Sequence, residues 1–323
     1  MTKTTPMPVI YINSAAFSGS TLLIRLLLSH PNVASVGELT GYVAKTGEAK
    51  ERYCSCGQMI QDCPFWQELA FHVKKEISDF NPHWFGTKFR LLPYKYRILN
   101  TLLTGYLGCN VIERLRFKVL TEFTAYRSRI EDIIYTNQLF VEGICRITGA
   151  SVFVDASKYA TYAKFLTLSQ KLDLRVVHLT RDSRGVVNSY RKNSKYSLVH
   201  GALKWNLSQM KAESLRRWMA PDKHMRIRYE DLCLSPLTTV NRIFHFVGLP
   251  ELSRLDLNST ESIHILGNRM RHVRALRVKA DFSYKEELSL ANLFLIDSLT
   301  FPFKKRFGYL GDNQFCQGLD SSE

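Results

Sequence analysis

Two short stretches of this chain carry residue types suited to holding phosphate. The first is Ser18-Gly19-Ser20-Thr21, set between the apolar, β-branched segment Val9–Asn13 and the apolar run Leu22–Leu28. A small-residue loop leading from a strand into a helix aims several backbone N–H groups at one point, and the helix N-terminus adds partial positive charge there. Ser18, Ser20 and Thr21 add hydroxyl donors, and Gly19 lets the backbone come close. No lysine follows Gly19, so the loop lacks the Gly-Lys-Ser/Thr of ATP and GTP hydrolases. Taken alone, the same cluster also reads as an ordinary helix cap.

The second stretch is Arg181-Asp182-Ser183-Arg184-Gly185, with Ser189 eight residues after Arg181. A guanidinium grips phosphate with two parallel N–H donors and a serine hydroxyl adds a third, so Arg181 and Ser189 form a candidate clip. The plainer alternative is an Arg–Asp pair closing the start of a helix.

Three segments must position these residues. Val9–Asn13, Ser151–Asp155 and Arg175–Thr180 each read as a short buried strand, and each precedes a helical pattern. Alternating strands and helices predict an α/β fold with a P-loop-like parallel sheet flanked by helices, and ligands in such sheets bind beyond the carboxyl ends of the strands. His30-Pro31 stops the first helix, with His30 as a helix-ending polar residue, and His178 falls mid-strand as a core histidine. Between about 71 and 136 the pattern turns helical and rich in Leu, Tyr, Phe, Arg and Lys, which predicts a helical cap inserted into a single domain spanning 1–323. Within it, Lys88–Tyr106 is basic and aromatic; a cap helix burying one face is the first reading, and peripheral membrane contact the second.

The formal charge of +15 and pI near 9.5 favour anionic partners. No zinc-finger spacing, aromatic RNA-binding signature or arginine-lined helix is present, so nucleic acid is not expected. No apolar run reaches the roughly 18–20 residues of a membrane helix. Only Met1–Pro8 precede the first strand, so neither signal peptide nor membrane anchor is expected. Seven mostly scattered cysteines, an odd number, do not form a disulfide framework, and a reducing, cytoplasmic location is expected. Cys54, Cys56 and Cys63 cluster and could be joined by His72, but their spacing is not the usual Cys-x2-Cys pair and no metal is expected.

Ser-Gly-Ser-Thr after the first strand and Arg-Asp-x-Arg-Gly-x-x-x-Ser after a later one together resemble the sulfotransferases that use 3′-phosphoadenosine 5′-phosphosulfate (PAPS). The likeness continues through Gly37-Glu38-Leu39, Cys54-Ser55-Cys56-Gly57 to Asp62-Cys63-Pro64-Phe65-Trp66, Asp155-Ala156-Ser157-Lys158, Arg228-Tyr229-Glu230-Asp231-Leu232 and Gly267-Asn268-Arg269-Met270-Arg271, as in a bacterial-type branch of that family. The resemblance implies that Ser18–Thr21 hold the donor's 5′-phosphosulfate and that Arg181 and Ser189 hold its 3′-phosphate. It further implies that Tyr229 lies near the adenine and that Arg269 or Arg271 belongs to a late phosphate-contacting loop.

Sulfuryl transfer needs an in-line nucleophile, positive charge on the sulfuryl and departing phosphate oxygens, and a base for the acceptor proton. By resemblance, Glu38 is the candidate base and Lys158 the candidate cation. Phe17 stands where the family commonly has Arg or Lys, so a leaving-group cation must come from Lys158, Arg25 or a C-terminal arginine. The expected activity is transfer of a sulfuryl group from PAPS to a hydroxyl of a glycan, lipid or small natural product, without a metal. The alternatives are a P-loop nucleotide kinase-like enzyme and a non-catalytic PAPS- or nucleotide-binding protein. The acceptor pocket is expected from the cap and from loops near Lys195–Trp205.

Overall fold

The computed structural model of the chain describes residues 5–41, 53–81, 85–257, 264 and 278–310. Five strands pair in the order β2-β3-β1-β4-β5, and every pairing is parallel. They are β1 (Met7–Ser14), β2 (Val33–Ser35), β3 (Val152–Asp155), β4 (Leu172–Thr180) and β5 (His224–Arg228). The three strands read from the sequence are the three central ones, β3, β1 and β4. The two missed strands are the edges, for physical reasons. β2 is only three residues long, and β5, His-Met-Arg-Ile-Arg, is half-buried with a single fully buried side chain at Ile227.

The period of two along each strand sorts side chains between two cores. Val9 and Tyr11 face one core with Phe153 and Val176, whereas Ile10 and Ile12 face the other with Val154, Val177 and Leu179. The second core is closed by α1 (Ser20–Leu27) and by a later helix, Pro236–Val247. The first is closed largely by the helices between β2 and β3: α2 (Pro64–Glu76), α3 (Arg97–Thr104), α4 (Asn110–Glu122) and α5 (Thr124–Thr148). This helical stretch extends beyond 71–136 at both ends, because α2 starts at Pro64 and α5 continues unbroken to Thr148. It stops at Gly149, whose φ of 71° gives it the left-handed turn of a C-cap.

After β3 come α6 (Ala160–Leu166), α7 (Ser183–Ser194), α8 (Leu198–Trp218), α9 (Tyr229–Leu234) and α10 (Pro236–Val247), with β4 between α6 and α7 and β5 between α8 and α9. The last helices among the described residues, α11 (Tyr284–Glu287) and α12 (Leu290–Arg306), pack on α7 and, for α12, also on α8.

A buried ion pair fixes α4 against the sheet layer. Lys164 of α6 bonds Glu113 of α4, and its ammonium also reaches Ser214 Oγ of α8 at 2.7 Å. The Glu113 carboxylate accepts from Leu107 N–H at 3.0 Å, and Ser214 Oγ lies 2.7 Å from Asn110 Oδ1. Removing one partner of such a pair strands the other charge out of water, which costs about 3–5 kcal/mol.

His178 lies in β4, fully buried, with Nε2 3.0 Å from Gln209 Oε1. Burial, helped by the Arg226 charge, pushes its pKa down to about 3. Between that value and the ordinary histidine value near 6.5 the unfolded chain binds a proton that the native chain does not, so stability rises with pH in this window. The contribution is complete above the ordinary value and is lost as pH falls. Acidification from pH 7 to 5 therefore removes about 2 kcal/mol through this residue alone. Urea unfolding at both pH values should show it, with a smaller difference in His178→Gln; equal pH dependence in the two proteins would contradict the assignment.

Candidate active site

The register of the sheet brings the two phosphate motifs together. Ser14, the last residue of β1, pairs with Leu179 of β4, so the loop leaving β1 and the residue leaving β4 emerge side by side. This is where the chain order reverses in the sheet, the place where α/β folds form their ligand crevice.

Gly19 occupies the N-cap position of α1 with φ 88°, and no side chain caps that helix end. Its lack of a Cβ is required twice, by the left-handed conformation and by Tyr229, whose Cδ2 would lie 2.5 Å from an added Cβ. Among the described residues, the buried hydroxyls of Ser14 and Ser18 have no hydrogen-bond partner. Buried hydroxyls left unpaired beside the open first turn of a helix suit an anion with several acceptor oxygens.

Arg181 is buried and ties this corner together. Its Nη1 donates to the Phe17 carbonyl at 2.7 Å, its Nη2 donates to Asp281 Oδ2 at 2.9 Å, and its guanidinium lies 4.5 Å from the Tyr229 ring centre. The Tyr229 hydroxyl accepts from Asp281 N–H at 3.2 Å, and burial raises its pKa. Ser189 donates to the Gly185 carbonyl at 2.9 Å. An added Cβ on Gly185 would lie 3.2 Å from Arg181 Nε. Arg181 and Ser189 thus flank the same glycine, and each is engaged within the protein. The helix-capping Arg–Asp pair does exist, but it uses a different arginine: Asp182 caps α7 by accepting from Arg184 N–H at 2.8 Å and pairs with the Arg184 side chain.

On the other side of β1, Lys158 and Glu38 meet, with Lys158 Nζ 2.5 Å from Glu38 Oε1. Their backbones are held by a buried carboxylate. Asp155 Oδ1 accepts from Leu39 N–H at 3.2 Å, Ser157 N–H at 2.9 Å and Ser157 Oγ at 2.6 Å, and Ala156 N–H donates to the Gly37 carbonyl at 2.8 Å. Glu38 is therefore pinned on both sides. Burial outweighs these donors and raises the Asp155 pKa to about 6. Lys158 adopts φ 67°, a left-handed conformation costly for a residue with a side chain. Asn13 Nδ2 holds its carbonyl at 2.8 Å, and the Tyr11 hydroxyl bridges both the N–H and the carbonyl of Tyr159.

Glu38 and Lys158 open onto a cavity of about 730 Å³ between the strand ends and the α3 region, also lined by Asn13, Ser14 and Ala16. Its wall carries four further cations, Lys88, Arg90, Arg97 and Lys211, and four tyrosines, Tyr94, Tyr106, Tyr159 and Tyr162. Burial, then the neighbouring Arg90 charge, lowers the Lys88 pKa. The sequence does not single these residues out individually. Their signal is the basic, aromatic character of Lys88–Tyr106, which does not say which side chains turn inward.

Among the other sequence candidates, Arg25 is buried in the last turn of α1 and does not line the cavity. Phe17, with φ 62°, packs edge-on against Tyr190 with ring centres 5.2 Å apart. His30 is buried against Phe244, accepts from Asn32 N–H and likewise lies outside the cavity lining. His72 meets Arg146 of α5 rather than the cysteines. Arg269 and Arg271 lie outside the described residues. No helix among the described residues is long and apolar enough to cross a membrane.

This is a parallel α/β fold with two anion-suited corners at one crevice. Residues 139–253 match the family model described as "Sulfotransferase family". The chain is similar in structure to the sulfotransferase domain from the curacin biosynthetic pathway, at 16% identity over 95% of this chain and 99% of that one, with a TM-score of 0.51. The sulfotransferase domain of the Synechococcus PCC 7002 olefin synthase matches at 18% identity over 96% and 97%, TM-score 0.44. A Mycobacterium avium sulfotransferase matches at 12% over 94% and 77%, TM-score 0.46. No curated protein sequence matches significantly. The family-model match bears out the sulfotransferase resemblance read from the motifs. The matched stretch contains Lys158, Arg181, Ser189 and Tyr229; the Ser18–Thr21 loop and Glu38 lie before it.

Substitution of Gly19 checks this corner. Gly19→Ala should lose about 2–4 kcal/mol of stability, from left-handed strain and the clash with the Tyr229 ring. Adding Tyr229→Leu should restore part of the loss in thermal or urea unfolding. An undiminished melting temperature in Gly19→Ala would show that the corner is not packed as described.

Proposed function

We propose that this protein transfers a sulfuryl group from PAPS to a hydroxyl of an acceptor seated in the cavity lined by Glu38 and Lys158. The observation that carries the reading is the meeting of Glu38 and Lys158 at the mouth of a cation-lined cavity, beside a loop with unpaired buried hydroxyls. A base and a cation at one point meet the two charge requirements of sulfuryl transfer.

In this reading the loop Ser18–Thr21 and the first turn of α1 take the 5′-phosphosulfate, with Ser14 as an added hydroxyl. Arg181 and Ser189 take the 3′-phosphate, which exchanges for the Asp281 carboxylate on the guanidinium. Tyr229 borders the nucleotide, and Arg269 or Arg271 supplies the late contact. The acceptor oxygen bonds to sulfur as the bond from sulfur to the bridging phosphate oxygen breaks, and adenosine 3′,5′-bisphosphate leaves with that electron pair. Glu38 takes the acceptor proton. Lys158 turns from Glu38 to the sulfuryl and bridging oxygens, which frees the carboxylate and supplies the charge that Phe17 does not. The mixture of cations and rings in the cavity suits a glycan, lipid or small natural product bearing negative charge or a flat face.

Adenosine 3′,5′-bisphosphate should raise the melting temperature more than ATP does, because a ligand that binds only the folded state stabilises it. A preference for ATP would move the protein to the kinase class. With labelled PAPS and an acceptor found in host extracts, Lys158→Ala should lower kcat at least about 100-fold with a smaller change in KM for PAPS. Glu38→Gln should lower kcat by about 100-fold or more. Near-normal turnover in either variant would remove that residue from the mechanism.

The backbone of Lys158 gives a separate expectation. Lys158→Gly should be about 1 kcal/mol more stable than Lys158→Ala, since glycine accepts the left-handed conformation, while both lose activity alike. Equal stabilities by urea unfolding would mean that the strain is not real.

A further inference from the structure

Apart from the residues that line the crevice, four soft ligands converge. Cys54, Cys56, Cys63 and His264 place their ligand atoms within 4.8 Å of one another. The sequence separates His264 from Cys54 by 210 residues, so no local spacing could announce the set. The sequence-based expectation of no metal takes His72 as the fourth member, and His72 faces Arg146 instead.

Three of the separations are close to those of a tetrahedral ion. With zinc–sulfur bonds of about 2.3 Å and zinc–nitrogen bonds of about 2.0 Å, a tetrahedron has sulfur–sulfur edges near 3.8 Å and sulfur–nitrogen edges near 3.5 Å. Cys56 Sγ lies 3.7 Å from Cys63 Sγ, and His264 Nδ1 lies 3.3 Å from both Cys54 Sγ and Cys63 Sγ.

Each ligand is also held. Cys54 and Cys56 sit on a tight turn in which Cys54 N–H donates to Gln58 O at 2.8 Å and Gly57 N–H donates to Cys54 O at 3.0 Å, with Gly57 at φ 90°. Cys63 is the N-cap residue of α2, followed by Pro64, so the partial positive charge of a helix end lies beside its sulfur. The His264 ring stacks on Phe65, with centres 4.5 Å apart and planes 1° from parallel, which fixes the direction of Nδ1. Cys54 and Cys63 are fully buried, whereas Cys56 is exposed and leaves an entry path.

We propose that Cys54, Cys56, Cys63 and His264 bind one structural zinc ion. Three thiolates and an imidazole favour zinc over the hard, oxygen-seeking cations, and four protein ligands close the site to a catalytic water. Binding releases the thiol protons to solvent as the thiolates bind the metal, with no change in oxidation state. The ion would join the start of α2 to His264, two parts of the chain distant in sequence.

The test is metal analysis of the purified full-length chain, followed by titration of the stripped protein with Zn(II) against a chromophoric chelator. One zinc per chain is expected, and Co(II) in its place should give the thiolate charge-transfer band and the visible bands of a tetrahedral site with three sulfur ligands and one nitrogen. His264→Ala and Cys63→Ser should each weaken zinc binding at least tenfold, whereas Cys145→Ser, a buried thiol outside the cluster, should bind as tightly as the parent. Should Cys63→Ser not fold, the cobalt spectrum of the parent and the His264→Ala titration decide. No saturable single site, a Cys56–Cys63 disulfide in the intact mass, or equal zinc affinity in His264→Ala and Cys145→Ser would each overturn the proposal.

Discussion

One buried carboxylate sets the geometry on which the proposed chemistry depends. Asp155, at the end of β3, bonds through Oδ1 to the backbone following β2 and to the residue preceding Lys158. Two loops leaving neighbouring strands would otherwise wander independently. Tied to one oxygen, they present Glu38 and Lys158 to each other and to the cavity. Burying a carboxylate costs several kcal/mol unless donors surround it. The raised pKa shows that the donors here offset only part of that cost. Stability is thus given up to hold two loops in register, as expected where position matters more than packing.

A second hub stands on the opposite flank of β1. The Tyr229 ring supports Gly19 on one contact and the Arg181 guanidinium on another, while the Tyr229 hydroxyl and Arg181 share Asp281. The loop after β1, the end of β4 and the residue after β5 therefore form one unit. A change at any of them is felt at the others through contacts shorter than one side chain. The parallel register makes this convergence unavoidable, because strands that run the same way deliver their exits to the same edge.

Much of this was legible in the sequence, and the limits follow from what sequence patterns encode. The central strands announced themselves as apolar runs buried on both faces. Lys158 and Arg181 were legible because each sits within one to three residues of the end of a strand read from the sequence, where position in the chain nearly fixes position in space, whereas Glu38, after the missed strand β2, came from the family resemblance. The edge strands were missed because half-buried residues carry no such run. The inward cations Lys88, Arg90, Arg97 and Lys211 were missed for another reason: they lie on the cap and on α8, whose orientation depends on tertiary contacts such as the buried Lys164–Glu113 pair. His264 joins the cysteines only through folding over 210 residues, which no spacing rule can reach.

Phe17 shows how charge can be redistributed without changing a fold. The residue before Ser18 has φ 62°, its ring packs on Tyr190, and Tyr190 in turn stacks on Tyr196. The side chain is thereby committed to an aromatic cluster. Its backbone nevertheless draws a cation into the loop, since the Phe17 carbonyl accepts from Arg181. A basic side chain at this position would bring its charge on a flexible stem and lose rotamer entropy in placing it. In the proposed reading the positive field around the loop comes from the open first turn of α1, from Arg181 once phosphate replaces Asp281, and from Lys158 once it turns from Glu38. The backbone donors of that first turn are fixed before charge develops, which is the property that makes oriented donors effective in a crevice.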